Sequence, residues 1–529
     1  MLLYFFFAAI LGSSLWAQGV WESRAPYPLQ ATEVSSAAIG SKVYTLGGLL
    51  TSGSSTNRLF VYDAFTDTWS EGASLPVSQG VDHGNVAAVN GKLYFLGGIR
   101  ILTGSVTGQT FEYDPAANTW TERAPMPTAR GASGVAALDG RIYVAGGLNP
   151  NASVDTVEVY TPATNTWETL PRMSVPRDHL TAQAVNGRIY AIAGRNASGD
   201  LNLNEEYDPA TRTWRLRAPI PTRRGGLGSG TLGGRIQVFG GEGNNPPANT
   251  FPQNEEYDPQ SDSWRTLAPM STPRHGLYGA TIDGRRLFAP SGGPQAGATF
   301  STTHEAFYLP PAVRPAINAN GIVNGASFAA AIAPDSLASL FGSGLTPGPQ
   351  RAVRFPLPVQ MNSTQVLVNG RAVPLLFASD SQINFLVPVD TASPATVVVR
   401  HAGVDSEAVA LPLQTVAPGI FTISQDGKGQ GAVLLAGTAD LASPARPAAA
   451  GDVLEIYFTG LGHSLLTVVP EVTIGGVRAE LLFAGAAPGF SGLNQVNVRV
   501  PTGVTPGNAV HLRLSHVGQD SNVVTIAVR

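Results

Sequence analysis

Between residues 132 and 147 the chain reads ASGVAALDGRIYVAGG. Small and apolar positions alternate, break at Asp139-Gly140, and alternate again up to a glycine pair. Period-two alternation around a two-residue Asp-Gly turn predicts a β-hairpin. The same pattern returns with turns at Asn90-Gly91, Asn186-Gly187, Gly233-Gly234 and Asp283-Gly284. Glycine pairs close these hairpins at Gly47-Gly48, Gly97-Gly98, Gly146-Gly147, Gly240-Gly241 and Gly292-Gly293, with Ala193-Gly194 in the remaining place. A tyrosine and, seven residues on, a tryptophan follow: Tyr62/Trp69, Tyr113/Trp120, Tyr160/Trp167, Tyr207/Trp214 and Tyr257/Trp264. Each unit therefore predicts four short strands, repeated at intervals of 47 to 52 residues.

Repeats that cannot bury their own faces stack on one another, and a twisted four-stranded repeat of this length predicts a propeller blade. The order glycine pair, Tyr-Asp-Pro, then Trp resembles the kelch repeat over roughly residues 20–310. That resemblance implies a β-propeller and leaves function open, because kelch propellers include enzymes, glycan binders and protein-interaction modules. The sixth glycine pair leads to Phe307 in the tyrosine position, but Pro310 and Pro311 arrive before any tryptophan. Near the N-terminus QGVWESRAPYP (18–28) has the tryptophan without its tyrosine. Trp21 thus belongs to the fourth strand of blade six, and six blades close into a ring with no exposed edge.

Past about Arg314 tryptophan disappears and a second duplication begins. VNGRAVPLLFAS (368–379) aligns with IGGVRAELLFAG (474–485), and QINFLVP (382–388) with QVNVRVP (495–501). The two units, 313–414 and 415–529, are expected to be small β-sandwiches. They resemble immunoglobulin-like IPT/TIG modules. Together NGASF, SQINFLVP, APGIF, TGLG and NQVNVRVP resemble an uncharacterised C-terminal domain of secreted acidobacterial proteins. The expected fold is all-β: a six-bladed kelch propeller over 18–312, then two immunoglobulin-like sandwiches.

Composition refines this picture. Of 529 residues 60 are glycine and 40 proline, and charged residues make up 13 %, as suits a turn-rich β protein. A net charge of −4 offers no electrostatic footprint for nucleic acid or an anionic membrane. The apolar run LLYFFFAAIL, followed by GSSLWA, reads as a signal peptide over residues 1–17 with cleavage after Ala17, so the chain is expected to be exported, secreted or held in the envelope. No later segment is apolar enough to span a membrane. The absence of cysteine rules out disulfides and thiolate chemistry. It also rules out a galactose-oxidase-type radical site in its known form, although that family too joins a kelch propeller to an immunoglobulin-like domain.

Strand order leaves the second-to-third connections (about 49–58, 99–109, 148–155, 195–203, 242–253 and 294–303) on one face, variable in length and composition. That face is the candidate binding surface. At the head of the innermost strands stand Arg130, Arg177, Arg224 and Arg274, whose planar forks suit carboxylates. The kelch resemblance implies that arginines here serve acidic ligands in some members. Asp82-His83, Asp178-His179 and His275 fall close by in blades two, four and six. Three imidazoles around one axis could hold zinc. His275, however, is one residue out of register, so no metal or cofactor is assigned. Glu158, Glu205, Glu255 and Glu305 recur two residues before the tyrosine position, which favours structural pairing over catalysis. No phosphate loop, nucleophile elbow or HExxH motif occurs. The expectation is an exported, non-catalytic protein that binds a glycan or protein, its C-terminal modules serving as spacer or envelope attachment. The alternative is a carbohydrate-active epimerase, mutarotase or lyase using pocket Arg and His residues.

Overall fold

The computed structural model describes residues 18–100, 104–243, 249–462 and 468–529. The apolar segment read as a signal peptide lies outside them. Among the described residues no helix is long and apolar enough to cross a membrane. The chain forms two compact units, one ending at Pro310 and the other beginning at Pro311.

In the first unit the Asn/Asp-Gly dipeptides form hairpin turns with both central residues left-handed, as at Asn90 (φ 49°) and Gly91 (φ 75°). Each hairpin grows into a four-stranded antiparallel sheet, and the described residues form six of these. Their innermost strands are Ser35–Ile39, Val86–Val89, Gly134–Leu138, Thr181–Val185, Gly228–Leu232 and Ala280–Ile282. Each touches the next, and the last touches the first. Apolar clusters fill the spaces between neighbours, for example Tyr143, Val157, Leu180, Ile189 and Tyr207 between blades three and four. The glycine pairs permit this close stacking. A Cβ on Gly146 (φ 64°) would stand 2.6 Å from the Arg177 carbonyl of the next blade.

Blade six is completed from the other end of the sequence. Val20–Ser23 pairs antiparallel with His304–Tyr308, placing Trp21 opposite Phe307. The register follows from a staple made in every blade, where the tryptophan indole donates to a carbonyl of the preceding blade. Trp69 bonds Ala25 at 2.9 Å, Trp120 bonds Ala73 at 2.7 Å, and Trp167 bonds Ala124 at 2.8 Å. Trp21 makes the same bond to Ala268 at 3.0 Å, across the seam between blades five and six.

Among its described residues the second unit contains two pairs of sheets; one sheet of each pair repeats the same strand order, and the other shares four strands but places its fifth differently. In the first repeat Leu340, Ile383 and Phe385 of one sheet meet Val366, Val397 and Val399 of the other in a shared core. In the second, Leu454, Ile456 and Val496 meet Val472, Leu512 and Leu514. Asn324 of the first repeat donates to the Ala417 carbonyl at 2.8 Å, and the Leu337 amide to Thr459 Oγ1 at 2.8 Å, which ties the repeats together.

Candidate functional site

Six residues at equivalent places, just before the innermost strands, form a ring around the channel: Glu33, His83, Ala132, His179, Gly226 and Gly276. Five of the six amides donate to the ring carbonyl one blade back: His83 to Glu33 at 3.1 Å, Ala132 to His83 at 2.9 Å, His179 to Ala132 at 2.8 Å, Gly226 to His179 at 3.0 Å and Gly276 to Gly226 at 2.8 Å. All six are left-handed, with φ between 47° and 61°. Glycine adopts that conformation without strain, whereas Glu33, His83 and His179 hold it at a cost. Their side chains therefore sit where the backbone favours glycine, and strain of that kind concentrates at functional sites.

The ring side chains converge on the axis. Glu33, His83 and His179 line a narrow cavity with Leu180, Leu227, Leu277 and Tyr278, and its free space of about 10 Å³ is enough for about one water. Tyr278 also lines the wider space at the other end of the channel, so the tyrosine stands between the two. The His83 and His179 rings meet edge to face with centroids 4.9 Å apart. Behind each imidazole sits the aspartate before it in sequence, Asp82 on His83 Nδ1 and Asp178 on His179 Nδ1. Ser55 and Ser153, from the second-to-third loops of the preceding blades, donate in turn to those aspartates. Ser–Asp–His relays from blades two and four thus aim two Nε2 atoms inward. His83 Nε2 lies 3.2 Å from Glu33 Oε2.

His275 occupies the register of Asp82 and Asp178, as its one-residue offset required. All three make an equivalent bridge at the end of the hairpin, Asp82 with Ile99, Asp178 with Arg195 and His275 with Gly293, because in blade six the two left-handed residues are Ser291 and Gly292. Its Nδ1 faces the Gly293 carbonyl at 3.1 Å, and its Nε2 lies between Glu33 Oε1 at 3.8 Å and Glu242 Oε2 at 3.6 Å. Arg195 binds Glu242 at 2.6 Å and stands 3.7 Å from Asp178. Burial drives the His179 pKa down, and Arg195 adds to this against the pull of Asp178. Burial opposes the charge on His83 as well, but Glu33 and Asp82 outweigh it and raise its pKa. Glu242 is held below the ordinary carboxylate range, because His275, the Gly297 amide and Arg195 outweigh its desolvation.

Asp82, His83, Asp178, His179 and His275 therefore converge as one cluster. Arg130, Arg177, Arg224 and Arg274 do not join it. All four are 0 % exposed, each paired inside its blade with the recurring glutamate: Glu158, Glu205, Glu255 and Glu305 respectively. Further N–H groups bond strand carbonyls, such as Val144 from Arg130 at 3.0 Å and Ala191 from Arg177 at 3.1 Å, whereas among the described residues Nε and Nη1 of Arg177 and Nε of Arg224 are buried without a hydrogen-bond partner. A guanidinium enclosed this way presents no donor to the channel, so the arginine column corrects to a structural one. Three members of the cluster are not apparent from motifs. Glu33 precedes the first complete repeat, and Arg195 and Glu242 follow glycine pairs where other blades carry Leu49, Ile99 and Leu148. The available signal was that opposite charges replace apolar residues at one repeat position in adjacent blades.

The kelch motif matches residues 31–76, 129–174, 176–221 and 223–271, and a second form of it matches 80–127. Kelch-like protein terF of Aspergillus terreus is 37 % identical over 131 residues, covering 23 % of this chain and 28 % of that protein. Kelch-like protein 15 of Danio rerio is 32 % identical over 148 residues, 24 % of each chain. The N-acetylneuraminate epimerase of Pasteurella multocida is 44 % identical over 88 residues, 15 % of this chain and 22 % of the enzyme. The chain thus spans about a quarter of the length of the curated relatives it matches. Among solved structures, "Structure of YjhT" aligns with a TM-score of 0.47 at 17 % identity, covering 53 % of this chain and 96 % of that one. Repeated motifs and four-stranded blades agree: the first unit is a β-propeller whose kelch motifs span residues 31–271.

Proposed function

We propose that this protein is a non-catalytic binding protein whose propeller recognises a glycan over the mouth of the axial cluster. The observation that carries this reading is the pairing of dense, mixed polarity with very little room. Carboxylates, imidazoles and a guanidinium meet at one point, which suits hydroxyl groups that both donate and accept. The cavity among them nevertheless holds only about one water, so a sugar ring would rest on the surrounding loops and lower one polar group toward the axis. The apolar segment at residues 2–11 supports export, and the paired C-terminal sheets support immunoglobulin-like modules acting as spacer or envelope attachment. The test is capture on a glycan array, with Arg195→Ala and Glu242→Gln as variants. Selective capture by the parent that both variants lose is expected, and capture indifferent to them would refute the placement. A protein ligand on the same face would appear as capture on an exoprotein array instead.

A carbohydrate-active enzyme is the second reading, favoured by the segment shared with the Pasteurella multocida epimerase. It requires turnover of a sugar such as N-acetylneuraminate that His179→Ala abolishes.

A further inference from the structure

We propose that Glu33, His83 and His179 form a binding site for one divalent transition-metal ion of the zinc class, with an open coordination position toward the loop-side mouth. One ligand atom from each of the three residues lies within 4.8 Å of the other two. In a tetrahedral site with bonds of about 2.0–2.1 Å, neighbouring donors stand about 3.3 Å apart. His83 Nε2 and Glu33 Oε2, at 3.2 Å, already meet that spacing. A separation of 4.8 Å, the upper bound among the three, needs to close by about 1.5 Å to reach it.

The second observation is the support behind the ligands. A metal-bound histidine ordinarily gives its other ring N–H to a carboxylate, which fixes the tautomer and makes the bound nitrogen a better donor. Both histidines have that partner, and both partners accept from a serine: Ser55–Asp82–His83 and Ser153–Asp178–His179. The same three-residue relay is thus built twice, from different blades, and both copies end at one point. The local charge fits as well. Among the described residues, Glu33, Asp82, Asp178 and Glu242 converge with the guanidinium of Arg195, which is 2.6 Å from Glu242 and 3.7 Å from Asp178. A divalent cation between Glu33 and the imidazoles balances the excess. Two imidazoles and one carboxylate leave the fourth position of a tetrahedral site open. That this position contacts the glycan rests on the binding reading above, whereas occupancy by metal does not.

The experiment uses the full chain, stripped with chelator and titrated with zinc against a fluorescent competitor, with no glycan present. One zinc per chain is expected, and zinc-edge X-ray absorption should show nitrogen and oxygen neighbours with imidazole scattering. Glu33→Gln and His179→Gln should each lower affinity at least 100-fold. Asp178→Asn, which keeps the ligands, should lower it 10- to 100-fold. His511→Ala, exposed on a C-terminal strand, should leave binding unchanged. Tryptophan fluorescence melts check that each variant is folded. No stoichiometric zinc in the folded parent would overturn the proposal, as would zinc that folded Glu33→Gln and His179→Gln retain at parental affinity. A glycan array that fails alongside a positive zinc titration would sink only the binding reading.

Discussion

Trp21→Ala should destabilise the whole propeller, although it removes one side chain four residues into the described chain. The loss has three parts. The indole hydrogen bond to Ala268 at 3.0 Å contributes about 1 kcal/mol net. Ring contacts with Phe239 at 5.4 Å and Phe307 at 5.1 Å contribute about 0.5–1.5 kcal/mol each. Trp21 is only partly buried, so the cost falls at the low end of the range for core tryptophans, about 3 kcal/mol in all. For residues 18–310, at about 2.1 cal/mol/K per residue, the unfolding entropy is about 0.6 kcal/mol/K, so Tm should fall by about 5 °C. The readout is specific because every tryptophan lies at or before residue 264, and intrinsic fluorescence reports the propeller without the C-terminal unit. Deleting residues 18–28 should cost more, since the strand pairing is lost along with the staple. If the deletion melted like the parent, the pairing of Val20–Ser23 with His304–Tyr308 would be wrong.

Further predictions concern burial, pH and the ring. Arg177→Ala leaves Glu205 charged and enclosed, so denaturant unfolding should show a loss of about 3–5 kcal/mol, while Arg177→Met with Glu205→Leu should recover most of it; equal losses would contradict the pairing. Burial drives the His304 pKa down to about 3. Between that value and the ordinary 6.5 the unfolded chain binds a proton that the folded chain refuses, so stability falls as pH drops through this window. At pH 5 the loss relative to pH 7 is about 2 kcal/mol, and His304→Gln should flatten this part of the curve. A Cβ at Gly276 would stand 2.6 Å from Glu33 Oε1, so Gly276→Ala should disturb the axial cluster and lower ligand capture while the fluorescence melt shifts by only about 1–2 kcal/mol. At Gly460 (φ 91°) a Cβ would lie 1.9 Å from the Ala417 carbonyl, so Gly460→Ala should lower the C-terminal transition seen by circular dichroism.

The blades were legible because their signals are local and repeated: a turn dipeptide, a glycine pair, and Tyr and Trp at fixed spacing. Closure by Trp21 was legible too, since a motif missing its first half and another missing its second are complementary. The arginines show where such reading stops. Sequence register placed Arg177 at the head of an inner strand but could not tell whether its side chain entered the channel or turned back into its own blade, where it meets Glu205 and the Ala191 carbonyl. That depended on Glu205, a partner 28 residues away. The histidine offset was read correctly from strand register. Glu33 escaped notice because its equivalents are His, Ala and Gly, with no residue type in common. Only the shared left-handed backbone reveals that these positions correspond.

The closing strand also sets a constraint on time. Val20–Ser23 must wait for His304–Tyr308 before it can pair. At ribosomal speeds of about 5–20 residues per second, that interval is about 15–60 s. Throughout it the first strand presents open hydrogen-bonding edges, joined near its end by the unfinished sixth blade, in a chain whose most distant contact forms last. Residues 18–28 are therefore the segment through which two nascent copies would most readily exchange strands. A chaperone able to hold them apart would matter more to the yield of this propeller than any single residue in its core.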